Sequence, residues 1–215
     1  MIEDWTLRHN SLSMVASSWI PPLAFLAGIA ITEAVSGITA DAVALFAASA
    51  APTVCPIVAY GFAKSLRNLY AGVKTANLIA VGLIGAVVGT LGALYIYIPP
   101  ASGPEPPTSL PLMLMYVAYV ILVAPVAEEF LLQGYVQTLA QRYGGVFSVI
   151  VATAVAATLH IGKEGPFYWY VLLFAWFAYL RLKSKSLSSA TTAHVGVSVG
   201  AFLGALVRVG IASAA

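Results

Sequence analysis

Apolar runs of bilayer-spanning length follow one another along nearly the whole of this 215-residue chain. A transmembrane helix needs about 20 predominantly apolar residues. By that measure the candidate helices lie at about 13–35, 41–63, 76–98, 109–140, 146–161, 166–182 and 187–209. The expected fold is therefore all-α: a polytopic transmembrane bundle of about seven spans, seven or eight, with residues 1–215 forming a single integral membrane domain. Composition agrees. Charged residues make up 8% of the chain and apolar ones 60%, whereas a soluble domain carries about 25% charged residues. So few charges could not cover a water-facing surface.

The basic residues set an orientation. With the N-terminus in the cytoplasm, Arg8, Lys64, Arg67, Lys74, Arg142, Arg181, Lys183 and Lys185 fall on inside segments and adjoining span ends. Only Lys163 and Arg208 fall outside. That asymmetry follows the positive-inside rule and predicts a multi-pass protein of the cell membrane. Met1–Asn10 contains Glu3 and Asp4 and does not read as a cleavable signal peptide. Pro99–Ser109 reads as a proline-rich loop between the third and fourth spans. Gly85 and Gly89 in one span, and Gly196, Gly200 and Gly204 in another, have the small-residue spacing that allows close helix approach in lipid. The single Cys55 excludes an intramolecular disulfide, and no basic stripe interleaved with aromatics points to nucleic acid.

Against this apolar background Glu128 and Glu129 stand side by side. A carboxylate at bilayer depth costs roughly 2.5–3.5 kcal/mol on insertion scales, so intramembrane ionisable groups default to functional sites. His160 and His194 also lie in or beside apolar runs. At 1.5 Å per residue, Glu128 lies roughly 20 Å, His160 roughly 22 Å and His194 roughly 13 Å along their helices from the cytoplasmic ends. Three polar groups from three spans are thus expected to meet in one layer, within the cytoplasmic half or near the midplane. Glu128 and Glu129 are about 100° apart on a regular helix, so they are not expected to point at one centre. Glu129 shares a face with Gln133, and a hydrogen bond between them is expected. Glu128 then faces the cavity. His194 and Ser198, four residues apart, present an imidazole and a hydroxyl together. Pro125 predicts a kink just before the glutamates. One Glu and two His suit either a general base with imidazole partners or a divalent cation such as Zn²⁺ held by Glu128, His160 and His194 with a position left for water.

These residues fall in recognisable motifs. APVAEEFLLQGYVQ (Ala124–Gln137), AATLH (Ala156–His160) and SLSSATTAHVGVS (Ser186–Ser198) occur in that order. The set resembles the CPBP family of intramembrane proteases, which includes type II CAAX prenyl endopeptidases, Abi proteins and bacteriocin self-immunity proteins. The resemblance covers about 123–205, within a family-like core of about 109–209. It implies a membrane endopeptidase with a cavity open to the cytoplasm, in which Glu128 activates water, His160 helps to hold it or the substrate, and His194 with Ser198 stabilises an oxyanion. Glu129 and Gln133 would support the site. The implied substrate is a membrane-associated peptide or lipidated protein. The family has been described both as metal-dependent and as metal-independent, so no cofactor follows from the resemblance. The chain departs from the family pattern at three positions: Gln133 stands for an Arg, Ala156 for a Phe and Ser198 for an Asn. The alternative readings are a catalytically silent scaffold of the same fold and, less favoured, a proton-coupled transporter.

Overall fold

A computed structural model of the chain describes Tyr70, residues 72–96, Leu110, Leu114, and residues 117–161 and 165–214. The expected spans at 13–35 and 41–63 and the loop Pro99–Ser109 lie outside the described residues. Two compact units are present, Met1–Leu66 with Pro107–Tyr119 and Arg67–Pro106 with Val120–Ala215. In the first, Leu110, Leu114 and residues 117–119 are helical.

The described residues contain helices and no strand. Helix α1 is Thr75–Ile96, α2 Tyr119–Tyr143, α3 Gly145–Thr158, α4 Phe167–Ser184 and α5 Leu187–Ala214. α1, α2 and α5 are each long and apolar enough to cross a bilayer. Their outward faces are unlike those of a soluble bundle. On α1, Ile79, Leu83, Val87 and Leu91 form an exposed stripe at four-residue spacing, while Gly85 and Gly89 are buried. Large apolar groups outside and small ones inside is the arrangement lipid favours, because helices there associate by close packing rather than by hiding apolar surface.

The glycines of α1 and α5 meet. A methyl group added at Gly89 would strike the Val197 carbonyl, and one at Gly200 would strike the Ala86 carbonyl. At this close approach the Thr90 hydroxyl reaches the carbonyls of both Ala86 (2.8 Å) and Gly200 (3.1 Å). The α1 end Gly92–Ile96 widens into a π-helical turn, and the Arg208 guanidinium donates to the Ala93 carbonyl there at 3.0 Å.

α2 is irregular around the glutamates. π-helical turns at Tyr119–Val123 and Phe130–Val136 bracket a short α-helical stretch, Ala124–Glu129. Pro125 has no N–H to donate, so the turn before it cannot close in the α pattern. Such π insertions inside helices recur at functional sites. Gly144 ends α2 at φ 124°, ψ 150°, a backbone region open essentially only to glycine, and so lets α3 begin one residue later. α4 and α5 form a tight hairpin through Lys185 and Ser186. The Ser186 hydroxyl accepts the Ser188 N–H, and the Ser188 hydroxyl donates to the Tyr70 carbonyl at 2.6 Å.

Four helices share one core. Leu132 of α2, Ala156 of α3, Leu173, Phe174 and Phe177 of α4, and Ala190, Ala193 and Val197 of α5 are packed together. The ionisable groups lie against this cluster.

Candidate active site

Glu128, Glu129, His160 and His194 are brought together. Glu128 sits near the end of the α-helical stretch of α2 with its side chain one-quarter exposed, while Glu129 is fully buried. His160 follows the last turn of α3, and its Nδ1 lies 2.8 Å from the Ala156 carbonyl. A carbonyl oxygen only accepts, so Nδ1 carries the proton and Nε2 is turned to the interior. His194, on α5, places Nδ1 2.9 Å from Glu129 Oε1. A carboxylate at that nitrogen favours the same tautomer. Both Nε2 atoms then face one oxygen: His160 Nε2 and His194 Nε2 are each 3.9 Å from Glu128 Oε2. A direct hydrogen bond spans about 2.7–3.2 Å. The 3.9 Å separations leave a gap between these atoms that no direct hydrogen bond closes, and the Glu128 side chain beside it is partly exposed.

Two expectations need correcting. Glu128 and Glu129 do share a centre, because the His194 ring offers one nitrogen to each carboxylate from opposite edges. Gln133 does lie beside Glu129, but at a geometry that falls short of a full hydrogen bond. Glu129 Oε2 and both polar atoms of the Gln133 side chain are buried without a partner among the described residues. The π-helical turn beginning at Phe130 changes the angular step on which the four-residue argument relied. Ser198 is half-buried one turn along α5 from His194.

A divalent cation is a poor fit to this spacing. Ligands held about 2.0–2.1 Å from Zn²⁺ in a tetrahedron stand roughly 3.3 Å from one another, and the Nε2–Oε2 separations are wider, at 3.9 Å. Among the described residues no group of three or more His, Cys, Asp or Glu is placed to hold a metal ion.

The sequence did not single out three side chains found here. Phe174 and Phe177 of α4 pack on the two histidines. Tyr70, ahead of α1, lies beside Thr191 and in the field of Glu129. Burial pushes its phenol upward, the Thr191 hydroxyl opposes this, and the Glu129 charge adds to the rise. Tyr70 therefore stays protonated at neutral pH.

Residues 110–200 match the family model described as type II CAAX prenyl endopeptidase Rce1-like. This stretch is similar to an Rce1-like domain. The match contains all four ionisable groups, with Gln133 and Ser198 besides, and agrees with the resemblance carried by the three motifs. No curated protein and no solved structure matches the chain. The three long apolar helices, together with this similarity to a family of membrane proteases, support an integral membrane protein.

Proposed function

We propose that the chain is an intramembrane endopeptidase in which Glu128 activates a water molecule for attack on a peptide bond of a membrane-associated, prenylated substrate. The observation that carries this reading is the approach of both Nε2 atoms to Glu128 Oε2 at 3.9 Å, with each Nδ1 engaged elsewhere. A water in the gap would donate one proton to Glu128 and the other to an imidazole Nε2. As its oxygen bonds to the substrate carbonyl carbon, Glu128 takes a proton and the carbonyl oxygen becomes an oxyanion. The C–N bond then breaks and the proton passes to the leaving amine. Glu129 holds the His194 ring with its proton on Nδ1, which leaves Nε2 free to accept from the water, an orienting part like that of the carboxylate behind histidine in other hydrolases. No step runs through a metal.

The site faces the cytoplasm in this reading, because the basic residues favour that side. Selectivity would come from the apolar walls between helices.

The test is cleavage of a farnesylated peptide ending in Cys-aliphatic-aliphatic-X by the purified protein in liposomes. Cleavage by the parent, and a rate lower by about 10²–10⁴ in Glu128→Gln, is expected. Equal cleavage by both would refute the role of Glu128. The silent-scaffold reading draws on Gln133 and Ser198, which stand where the family pattern has Arg and Asn. It gains if the parent is inert and Ser198→Asn with Gln133→Arg leaves it inert.

A further inference from the structure

Each imidazole has its Nδ1 engaged and its Nε2 turned toward Glu128, yet a ring held only at its edge can still tilt. α4 removes that freedom. Tyr170, Phe174 and Phe177 occur at i, i+4 and i+7, a spacing that places them along one side of a helix. The His160 ring lies against Tyr170 with centroids 4.7 Å apart and against Phe174 at 4.8 Å. The His194 ring stacks on Phe177 at 4.7 Å with only 19° between the planes, and meets Phe174 nearly edge-on at 5.8 Å and 85°. Phe174 and Phe177 are themselves perpendicular, with centroids 5.8 Å apart. Phe174 thus stands between the two histidines, and Phe177 floors one of them. Both are almost fully buried.

The room for this wedge comes from α3. Ala156 is fully buried in the same core cluster as Phe174 and Phe177, and its carbonyl fixes His160 Nδ1. A larger residue at 156 would crowd this cluster.

We propose that Phe174 and Phe177 are positioning residues: Phe174 sets the separation of the two imidazoles, and Phe177 sets the plane of His194, so that both Nε2 atoms converge on Glu128 Oε2. The assignment deepens the proposed peptidase reading and rests on it only for its kinetic consequence. The geometric consequence stands apart. Aromatic pairs have preferred ring geometries, and the observed stacked and edge-on contacts together leave His194 one orientation. A substitution that keeps volume and loses the ring should leave the fold intact and free the histidine.

The chain contains His9, His160 and His194 as its only histidines, so histidine-selective ¹³C/¹⁵N labelling in nanodiscs gives three imidazole signals, assigned by single His→Gln variants. In the parent, His194 should show one tautomer, protonated at Nδ1, and the upfield shift of carbon-bound protons lying over a phenyl face. Phe177→Leu should abolish that upfield shift and bring in the second tautomer. Phe177→Tyr should retain both signatures. Phe174→Leu should move the signals of His160 and His194 together. Should Phe177→Leu fail to fold, Phe177→Met, which fills similar space without a ring, gives the same reading. A folded Phe177→Leu or Phe177→Met protein with an unchanged His194 signal overturns the proposal. With the farnesylated peptide as substrate, Phe177→Leu should lower kcat by roughly 10²-fold, the scale of a misplacement near 1 Å, with KM unchanged and with recovery in Phe177→Tyr. A rise in KM alone would overturn it. If the parent cleaves nothing, the peptidase reading fails, and the labelled spectra still decide whether α4 orients the histidines.

Discussion

Replacing Glu129 by Gln separates the role of its charge from that of its shape. The substitution is nearly isosteric at a fully buried position, so it opens no cavity. It changes what faces His194 Nδ1 at 2.9 Å. An amide can still accept from Nδ1–H through its oxygen, or it can turn and donate, which places the proton on Nε2 and directs an N–H at the water position. A charge-assisted hydrogen bond contributes about 1.5–3 kcal/mol and a neutral one about 0.5–1.5 kcal/mol, so the exchange should cost about 1–2 kcal/mol of stability. The rate should fall further. Where a buried carboxylate behind a catalytic histidine is converted to its amide in another hydrolase, kcat falls about 10⁴-fold through the wrong tautomer, and a loss of roughly 10²–10⁴ is expected here. Thermal unfolding in detergent and farnesyl-peptide cleavage in liposomes read the two effects separately. A variant that cleaves as fast as the parent would refute the assignment of His194 as an oriented partner. A variant that fails to fold would show Glu129 to be chiefly structural.

Other substitutions follow from the same geometry. Glu128→Gln should lower cleavage by about 10²–10⁴, the usual contribution of a general base, with little change in unfolding temperature because Glu128 is partly exposed. Gln133→Met removes two buried polar atoms without partners. An unsatisfied buried group costs about 1–3 kcal/mol, so this variant should be at least as stable as the parent by thermal unfolding; a clear loss would mean that Gln133 is satisfied in the membrane. Gly89→Leu or Gly200→Leu drives a side chain into the backbone of the facing helix and should destabilise by at least about 1–3 kcal/mol, the usual cost of overpacking. An unchanged unfolding temperature would mean that α1 and α5 do not pack this closely.

Much of this could be read from the sequence, for identifiable reasons. The runs at 76–98, 146–161, 166–182 and 187–209 anticipate α1, α3, α4 and α5 to within a few residues, because apolar length and flanking charge mark where a span starts and stops. The meeting of Glu128, His160 and His194 followed from their depth along three helices, a quantity that only needs the 1.5 Å rise. What escaped depended on rotation about a helix axis. Pro125 signalled a kink, yet nothing in Tyr119–Val136 announced two π-helical turns, so the angular argument that paired Glu129 with Gln133 used the wrong step. The aromatic wedge was hidden for a different reason. α4 is apolar on nearly every side, and in a lipid-facing helix the usual contrast between a polar and an apolar face, from which orientation is read, is absent. Tyr70 lies ahead of α1 and about 120 residues from Thr191 in sequence, and a single polar aromatic near a span end gives no cue to such a contact.

The central claim is that Glu128 and His194 act on one water as a unit, and a double-substitution cycle measures this. Groups that work together show effects far from additive. Cleavage of the farnesylated peptide should be nearly as slow in Glu128→Gln or His194→Asn alone as in the protein carrying both. If the two losses instead multiply, the residues act at separate steps or separate places, and the shared site described here is contradicted.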